Sequence, residues 1–195
     1  THGIHGFCYY HYWFNGKRLL NLPIDEVLNS GKPDFPFCLC WANEHWTRAW
    51  DGHQGEILME QKFSEEDDRN HIRWLLRVFQ DKRYIRIQGK PLILIYLSTR
   101  LPDAAGTVRI WREEATKAGE ELYLCKVESA PYEYGNPGLV GFDAAVEFQP
   151  DWGNLGQPVK TLPAGHLVYD YAAMAKRMIQ KPVPPYKRFP CVTPS

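Results

Sequence analysis

Phe35-Pro-Phe-Cys-Leu-Cys-Trp-Ala-Asn-Glu-His-Trp-Thr-Arg-Ala-Trp-Asp-Gly52 changes character halfway along. Up to Trp41 it is an apolar run behind a proline turn, the pattern of a strand buried on both faces. Beyond it, Trp46 and Trp50 are interleaved with Asn43, Glu44, His45, Arg48 and Asp51. A buried strand opening into a polar, aromatic loop marks the C-terminal rim of a parallel α/β sheet, where ligand sites collect. Flat aromatic faces accept the C–H patches of a sugar ring, and planar polar groups meet its hydroxyls. Trp41, Asn43, Glu44 and Trp46 are therefore candidate site residues. The plainer reading is an aromatic loop clamped over the core with Arg48 paired to Asp51, against which stands the cost of burying so many polar groups without a use.

Outward from this stretch, strands alternate with helices. Ile4 to Phe14 is apolar and aromatic and closes on the Asn15-Gly16 turn. One face of that strand carries Phe7, Tyr9, His11 and Trp13 and the other Cys8, Tyr10 and Tyr12, so aromatic and hydroxyl groups crowd its end. His11 and Trp13 join the candidates. A short helix is expected over 23–29, stopped by Gly31. Ser64 with Asp67 forms a capping-box pattern opening a second helix, whose inner face is Ile72, Leu75, Leu76 and Phe79. Arg69, Arg73 and Arg77 make a basic stripe on another face, read as solvated. Pro91-Leu-Ile-Leu-Ile-Tyr-Leu97 predicts the central strand, with Tyr96 near its end. Pro102-Asp103 opens a helix expected to turn Val108, Trp111, Ala115 and Ala118 inward and to stop at Gly119. A last helix is expected over 169–179.

Six strands follow from these patterns, at 4–10, 35–41, 91–97, 122–128, 143–149 and 188–192. Their alternation with helices predicts an α/β fold with a parallel sheet. A (β/α)8 barrel needs eight strands, so this single domain over 1–195 would be a barrel short of a strand at each end; an open six-stranded sheet would need neither. In two strands polar residues alternate: Lys126 with Glu128, and Glu147 with Gln149. On a barrel strand such residues point into the cavity near its rim, which makes Glu128 and Glu147 candidates for the same cavity as Glu44. Exposure at a sheet edge would produce the same alternation.

The 195 residues hold 23 basic and 23 acidic side chains and are 44% hydrophobic. The balance gives no field for nucleic acid or an anionic membrane, and a neutral ligand fits better. The cysteines Cys8, Cys38, Cys40, Cys125 and Cys191 are odd in number and lack framework spacing; they read as small buried hydrophobes in a reducing, cytoplasmic setting. No run is long and apolar enough for a membrane span. Nucleotide-binding glycine motifs, Walker loops, His-Glu-x-x-His, Cys-x-x-Cys, Gly-x-Ser-x-Gly and a metal-chelating Asp-x-Asp are all missing from the sequence, so no cofactor and no metal are expected. Carboxylates remain for acid/base work, and Glu44, Glu128 and Glu147 are the catalytic candidates.

The segments from Gly3 to Gly16, from Trp41 to Gly52 and from Gly89 to Tyr96 together resemble the WbsX-like glycosyltransferase family of bacterial surface-polysaccharide proteins, itself similar to the endo-mannosidases of glycoside hydrolase family ninety-nine. The resemblance implies a (β/α)8 barrel that transfers or hydrolyses mannose-like glycans. It implies a glycan cavity built from His11, Trp13, Trp41, Asn43 and Glu44, with Tyr96 beside them. The family's Asn-Glu-Trp-x-Glu-Gly segment, which carries its carboxylate pair, does not occur among these residues, and the acid/base pair is expected downstream. A non-catalytic glycan-binding module with the same aromatic cavity is the alternative, and an open-sheet sugar-nucleotide transferase a further one.

Overall fold

The computed structural model describes residues 3–48 and 53–192. Six parallel strands form the body of its eight-stranded sheet: β1 (Phe7–Phe14), β2 (Phe37–Trp41), β3 (Lys90–Ile95), β4 (Tyr123–Glu128), β5 (Ala144–Glu147) and β6 (Arg188–Phe189), with the short segments Lys17–Leu19 and Arg86–Ile87 added antiparallel. The six lie side by side in chain order, each pairing in parallel with the next. The helices are α1 (Leu22–Ser30), α2 (Glu65–Val78), α3 (Ala104–Lys117) and α4 (Tyr171–Ile179). The crossover from β4 to β5 carries two short 3-10 turns in place of an α-helix. Among the described residues the sheet does not close on itself. The mixed α/β class and the parallel winding are as expected, whereas a closed barrel is not what these residues form.

The first strand is displaced from its expected range of 4–10. Phe7 begins it by donating to the Pro36 carbonyl at 2.9 Å. Gly6 just before has no room for a side chain, since a Cβ there would lie 2.7 Å from Ile85 Cδ1 and 2.9 Å from the Pro36 oxygen. At its other end the strand runs on to Phe14 because the Asn15-Gly16 turn, with φ of 47° and 84°, folds residues Lys17–Leu19 back antiparallel onto Tyr12–Phe14. A second hairpin arm follows β2: Trp46–Arg48 pairs antiparallel with His53–Met59. The expected loop is thus partly a β-arm. Trp50 and Asp51, and with them the expected Arg48–Asp51 pair, lie outside the described residues; Arg48 pairs with Glu56 at 3.1 Å.

Local chemistry explains the helices. Ser64 accepts from the Asp67 N–H at 3.1 Å and Asp103 from the Gly106 N–H at 2.8 Å, each satisfying an orphan donor. Arg73 bonds Glu114 at 2.8 Å and Thr107 bonds Asp68 at 2.7 Å, fastening α2 to α3. The inner face of α2 includes Ile72 and Leu75 as expected, and also His71. In α3, Val108, Trp111 and Ala115 are buried, but Ala118 is exposed because it caps the helix just before Gly119 turns away.

Register separates the two faces of the sheet. His11 pairs with Trp41, and Trp41 with Ile95, all on the side covered by α2 and α3, where Trp41 meets His71 and Trp111 at ring distances of 4.6 and 5.7 Å. The opposite side carries Cys8, Tyr10, Cys40, Leu94, Tyr96, Val127 and Phe148 around a small cavity. Cys38, Cys40 and Cys125 are buried as expected, but Cys8 and Cys191 are exposed. Cys8 lies on β1 before the stretch that the Lys17–Leu19 arm covers, on the side facing away from the helices, so it is exposed where burial was expected.

Candidate functional site

At the C-terminal ends of β1 to β3 lies a cavity of about 730 Å³ lined by Tyr10, Tyr12, Ala42, Glu44, His45, Trp46, Thr47, Leu58 and Tyr96. β1 supplies Tyr10 and Tyr12, the segments just past β2 and β3 supply Glu44 and Tyr96, and the hairpin arm after β2 supplies Trp46, Thr47 and Leu58. Tyr12 meets Trp46 edge to face at 5.1 Å, and Tyr10 meets Tyr96 at 5.9 Å and 87°. The arm is tied down where the Gln61 N–H donates to His45 Nδ1 at 2.9 Å.

Glu44 is open to solvent at its tip. Desolvation by the surrounding protein nevertheless raises its carboxyl above the ordinary range, partly opposed by the Arg100 guanidinium. Burial, then the nearby Glu44 charge, raise the phenols of Tyr12 and Tyr96, and burial with Cys40 and Tyr96 raises that of Tyr10. The three hydroxyls therefore stay protonated and can donate. A carboxyl that accepts, phenols that donate and an indole edge form a lining suited to a polyhydroxylated ligand.

Of the expected residues, Glu44, Trp46 and Tyr96 meet in this cavity. Trp41, His11 and Trp13 face the helices instead, and Asn43 is buried against the end of β3. Trp41 is 0% exposed, so its faces are occupied by packing and offer no stacking platform. His11 and His71 share a hydrogen bond between their Nε2 atoms at 3.0 Å; His11 stacks on Trp74 at 4.6 Å and His71 on Trp13 at 4.6 Å. Burial, then Arg18, holds His11 down to about 3, and burial with His11 holds His71 well below its usual value. Both rings are neutral, one donating and one accepting. Trp13 donates to Asp67 at 2.9 Å, anchoring β1 to α2. Asn43 acts one step removed from the cavity: its amide donates to the Leu97 carbonyl at 2.8 Å and its oxygen accepts from the Leu97 N–H at 2.9 Å, continuing the β2–β3 ladder and setting Glu44 beside Tyr96.

Glu128 and Glu147 do not join Glu44 in the larger cavity. Glu128 is 4% and Glu147 9% exposed, so edge exposure does not explain their alternation. Arg188 reaches both, at 3.5 Å to Glu128 and 3.0 Å to Glu147, and Lys181 lies 3.1 Å from Glu147. Tyr186 donates to Glu128 at 2.6 Å and the Cys191 N–H to Glu147 at 3.0 Å. Glu147 also borders the small cavity that shares Tyr10 and Tyr96 with the larger one. Both carboxylates are engaged in fastening β6. Among the described residues no group of three or more His, Cys, Asp and Glu side chains is arranged to hold a metal ion.

Sequence reading missed Tyr10 and Tyr12 as site residues. The signal was parity: they alternate with His11 and Trp13, and the aromatic pair His71 and Trp74 on α2 needed partners that the indole-bearing face supplies.

The profile of the family described as glycosyltransferase WbsX matches residues 1–195. Two proteins described as the uncharacterized protein WxcX, from Xanthomonas campestris pv. campestris strains B100 and ATCC 33913, are each 36% identical over 202 aligned residues. The alignment covers 99% of this chain and 28% of each relative, so the chain spans little more than a quarter of their length. No solved structure matches the chain.

Proposed function

The chain belongs to the WbsX glycosyltransferase family, and from that premise we propose that it forms the glycan-holding wall of a carbohydrate-active enzyme of polysaccharide biosynthesis. The observation that carries this reading is the meeting of Glu44 with Tyr10, Tyr12, Tyr96 and Trp46 around one cavity. Among the described residues its lining contains no lysine or arginine, and the one guanidinium acting on it, that of Arg100, bears on Glu44; this favours a neutral, mannose-like glycan over the diphosphate of a sugar nucleotide. The phenols donate to sugar hydroxyls, and Glu44 accepts from one of them or acts as the acid toward a departing oxygen, a role that desolvation of its carboxyl favours.

A closed (β/α)8 barrel, kinship with the family ninety-nine endo-mannosidases and a cytoplasmic setting are part of the same proposal. Strands wound in chain order support the first, since a barrel orders its strands so; free cysteines support the last. Among the described residues no helix is long and apolar enough to cross a membrane.

The engagement of Glu128 and Glu147 with cations favours a second reading, in which this segment binds glycan without turning it over. Glycoside chemistry commonly uses two carboxylates, and among the described residues Glu44 is the single acid lining the larger cavity. Glu44→Gln in the intact protein separates the two. The enzyme reading expects turnover to fall about 100-fold or more with the unfolding midpoint unmoved. A loss of glycan affinity with turnover unchanged would favour the binding reading, and no change in either would remove this cavity from function.

A further inference from the structure

The glycan reading leaves the cysteines unused. Register places Cys8 of β1 directly opposite Cys38 of β2, with Cys40 two residues further along the same side. Cys8 is exposed while Cys38 and Cys40 are buried, and Cys8 and Cys40 border the same small cavity of about 170 Å³. The arrangement is one accessible thiol backed by two sheltered ones. Opposed positions on neighbouring strands are about 4.8 Å apart, inside the roughly 4.4–6.8 Å Cα separation that a disulfide spans.

Electrostatics divides the labour. The neighbouring Cys38 and Cys40 thiols favour a thiolate at Cys8 and hold it below the ordinary range, against the opposing effect of its own partial desolvation. The proximity of Cys8 and burial push Cys38 and Cys40 up, so they keep their protons. Attack on a peroxide requires a thiolate with access to solvent. Cys191 is also exposed, but burial of its sulfur raises its pKa.

We propose that Cys8 is a hydroperoxide-reactive site, resolved by Cys38 or Cys40 into a reversible disulfide that links β1 to β2. The Cys8 thiolate attacks the outer oxygen of a hydroperoxide, the O–O bond breaks, and the alkoxide or hydroxide leaves to take a proton from water. Cys8 is then a sulfenic acid. The neighbouring thiol attacks its sulfur, and the hydroxyl departs with that thiol's proton as water. Two thiols have lost two electrons, and one hydroperoxide has been reduced to an alcohol or water. Tyr10, two residues from Cys8, borders both cavities, so the cross-link forms in the wall behind the larger one. The assignment is independent of the glycan reading.

Peptide mapping of the intact protein without reduction tests it, after about one equivalent of tert-butyl hydroperoxide. The expected product is the Cys8 peptide joined to the peptide bearing Cys38 and Cys40, with two thiols lost per molecule, Cys191 still reduced, and full recovery in dithiothreitol. Cys38→Ser and Cys40→Ser then identify the resolving thiol, because the link survives in one variant only. Oxidation of Cys191 ahead of Cys8, conversion of Cys8 to sulfinic acid without a link, or no reaction of Cys8 would each overturn the assignment in the unaltered protein.

Discussion

Neighbouring residues along β1 and β2 face different worlds. Trp41 is enclosed among Phe63, His71 and Trp111, whereas Tyr10 is 47% exposed. Trp41→Ala should therefore destabilise the fold by about 3–5 kcal/mol in denaturant titration, while Tyr96→Phe should change stability by less than about 1 kcal/mol and weaken glycan binding by roughly 0.5–1.5 kcal/mol in calorimetry. A stable Trp41→Ala variant that merely binds less glycan would reverse the two assignments. The paired histidines predict a pH dependence. Their folded pKa values lie below the unfolded value, so they cost nothing above about 6.5 and stability is lost as pH falls beneath it, by roughly 1.4 kcal/mol per unit for each ring until the folded values are reached. Asp68 works the other way: burial raises it to about 6, so it returns stability at a similar rate as pH falls from about 6 toward 3.8. The direct check is the imidazole NMR signals of His11 and His71, which should not move between pH 7 and 4.5; a midpoint near 6.5 for both would refute the buried pair. Which residues mattered was legible in the sequence, but which side they took was not. A shift of one residue along a strand exchanges its faces, and it is the pairing of His11 with His71 that decides between them.

At the scale of elements, the ends hold more of the design than the middles. Asn43 closes the β2–β3 ladder with two hydrogen bonds to Leu97. Asn43→Ala would leave the buried Leu97 N–H unpaired and take one of two donors from its carbonyl, which keeps the Arg100 N–H at 3.2 Å, at a cost of about 1–3 kcal/mol, and hydrogen exchange should quicken at Leu97 before it quickens in the centre of β3. Unchanged exchange there would remove Asn43 from this role. The helices were legible because their signals are local: Ser64, Asp103, Gly31 and Gly119 sit where caps and stops are required. The two β-arms were not, because antiparallel pairing between residues 46–48 and 53–59 depends on register rather than on composition. Part of the larger cavity's wall was hidden for that reason.

Across the whole molecule the sheet is unevenly secured. Its centre is apolar, with Leu39, Ile93 and Leu124 all at 0% exposure, while its last strand, Arg188–Phe189, is held through the ion pairs of Arg188 to Glu128 and Glu147. Arg188→Ala removes the cation beside buried Glu128 and one of the two beside Glu147, which keeps Lys181, and should cost about 3 kcal/mol, seen as faster exchange at 144–147 and 188–189 with β1 to β3 unaffected. Uniform loosening of all six strands would show instead that the sheet opens as one unit. The winding has a further consequence. Among these six strands each new one pairs with the one made just before it. A sheet wound this way can add one strand and its crossover at a time as it leaves the ribosome, with each new edge templating the next arrival.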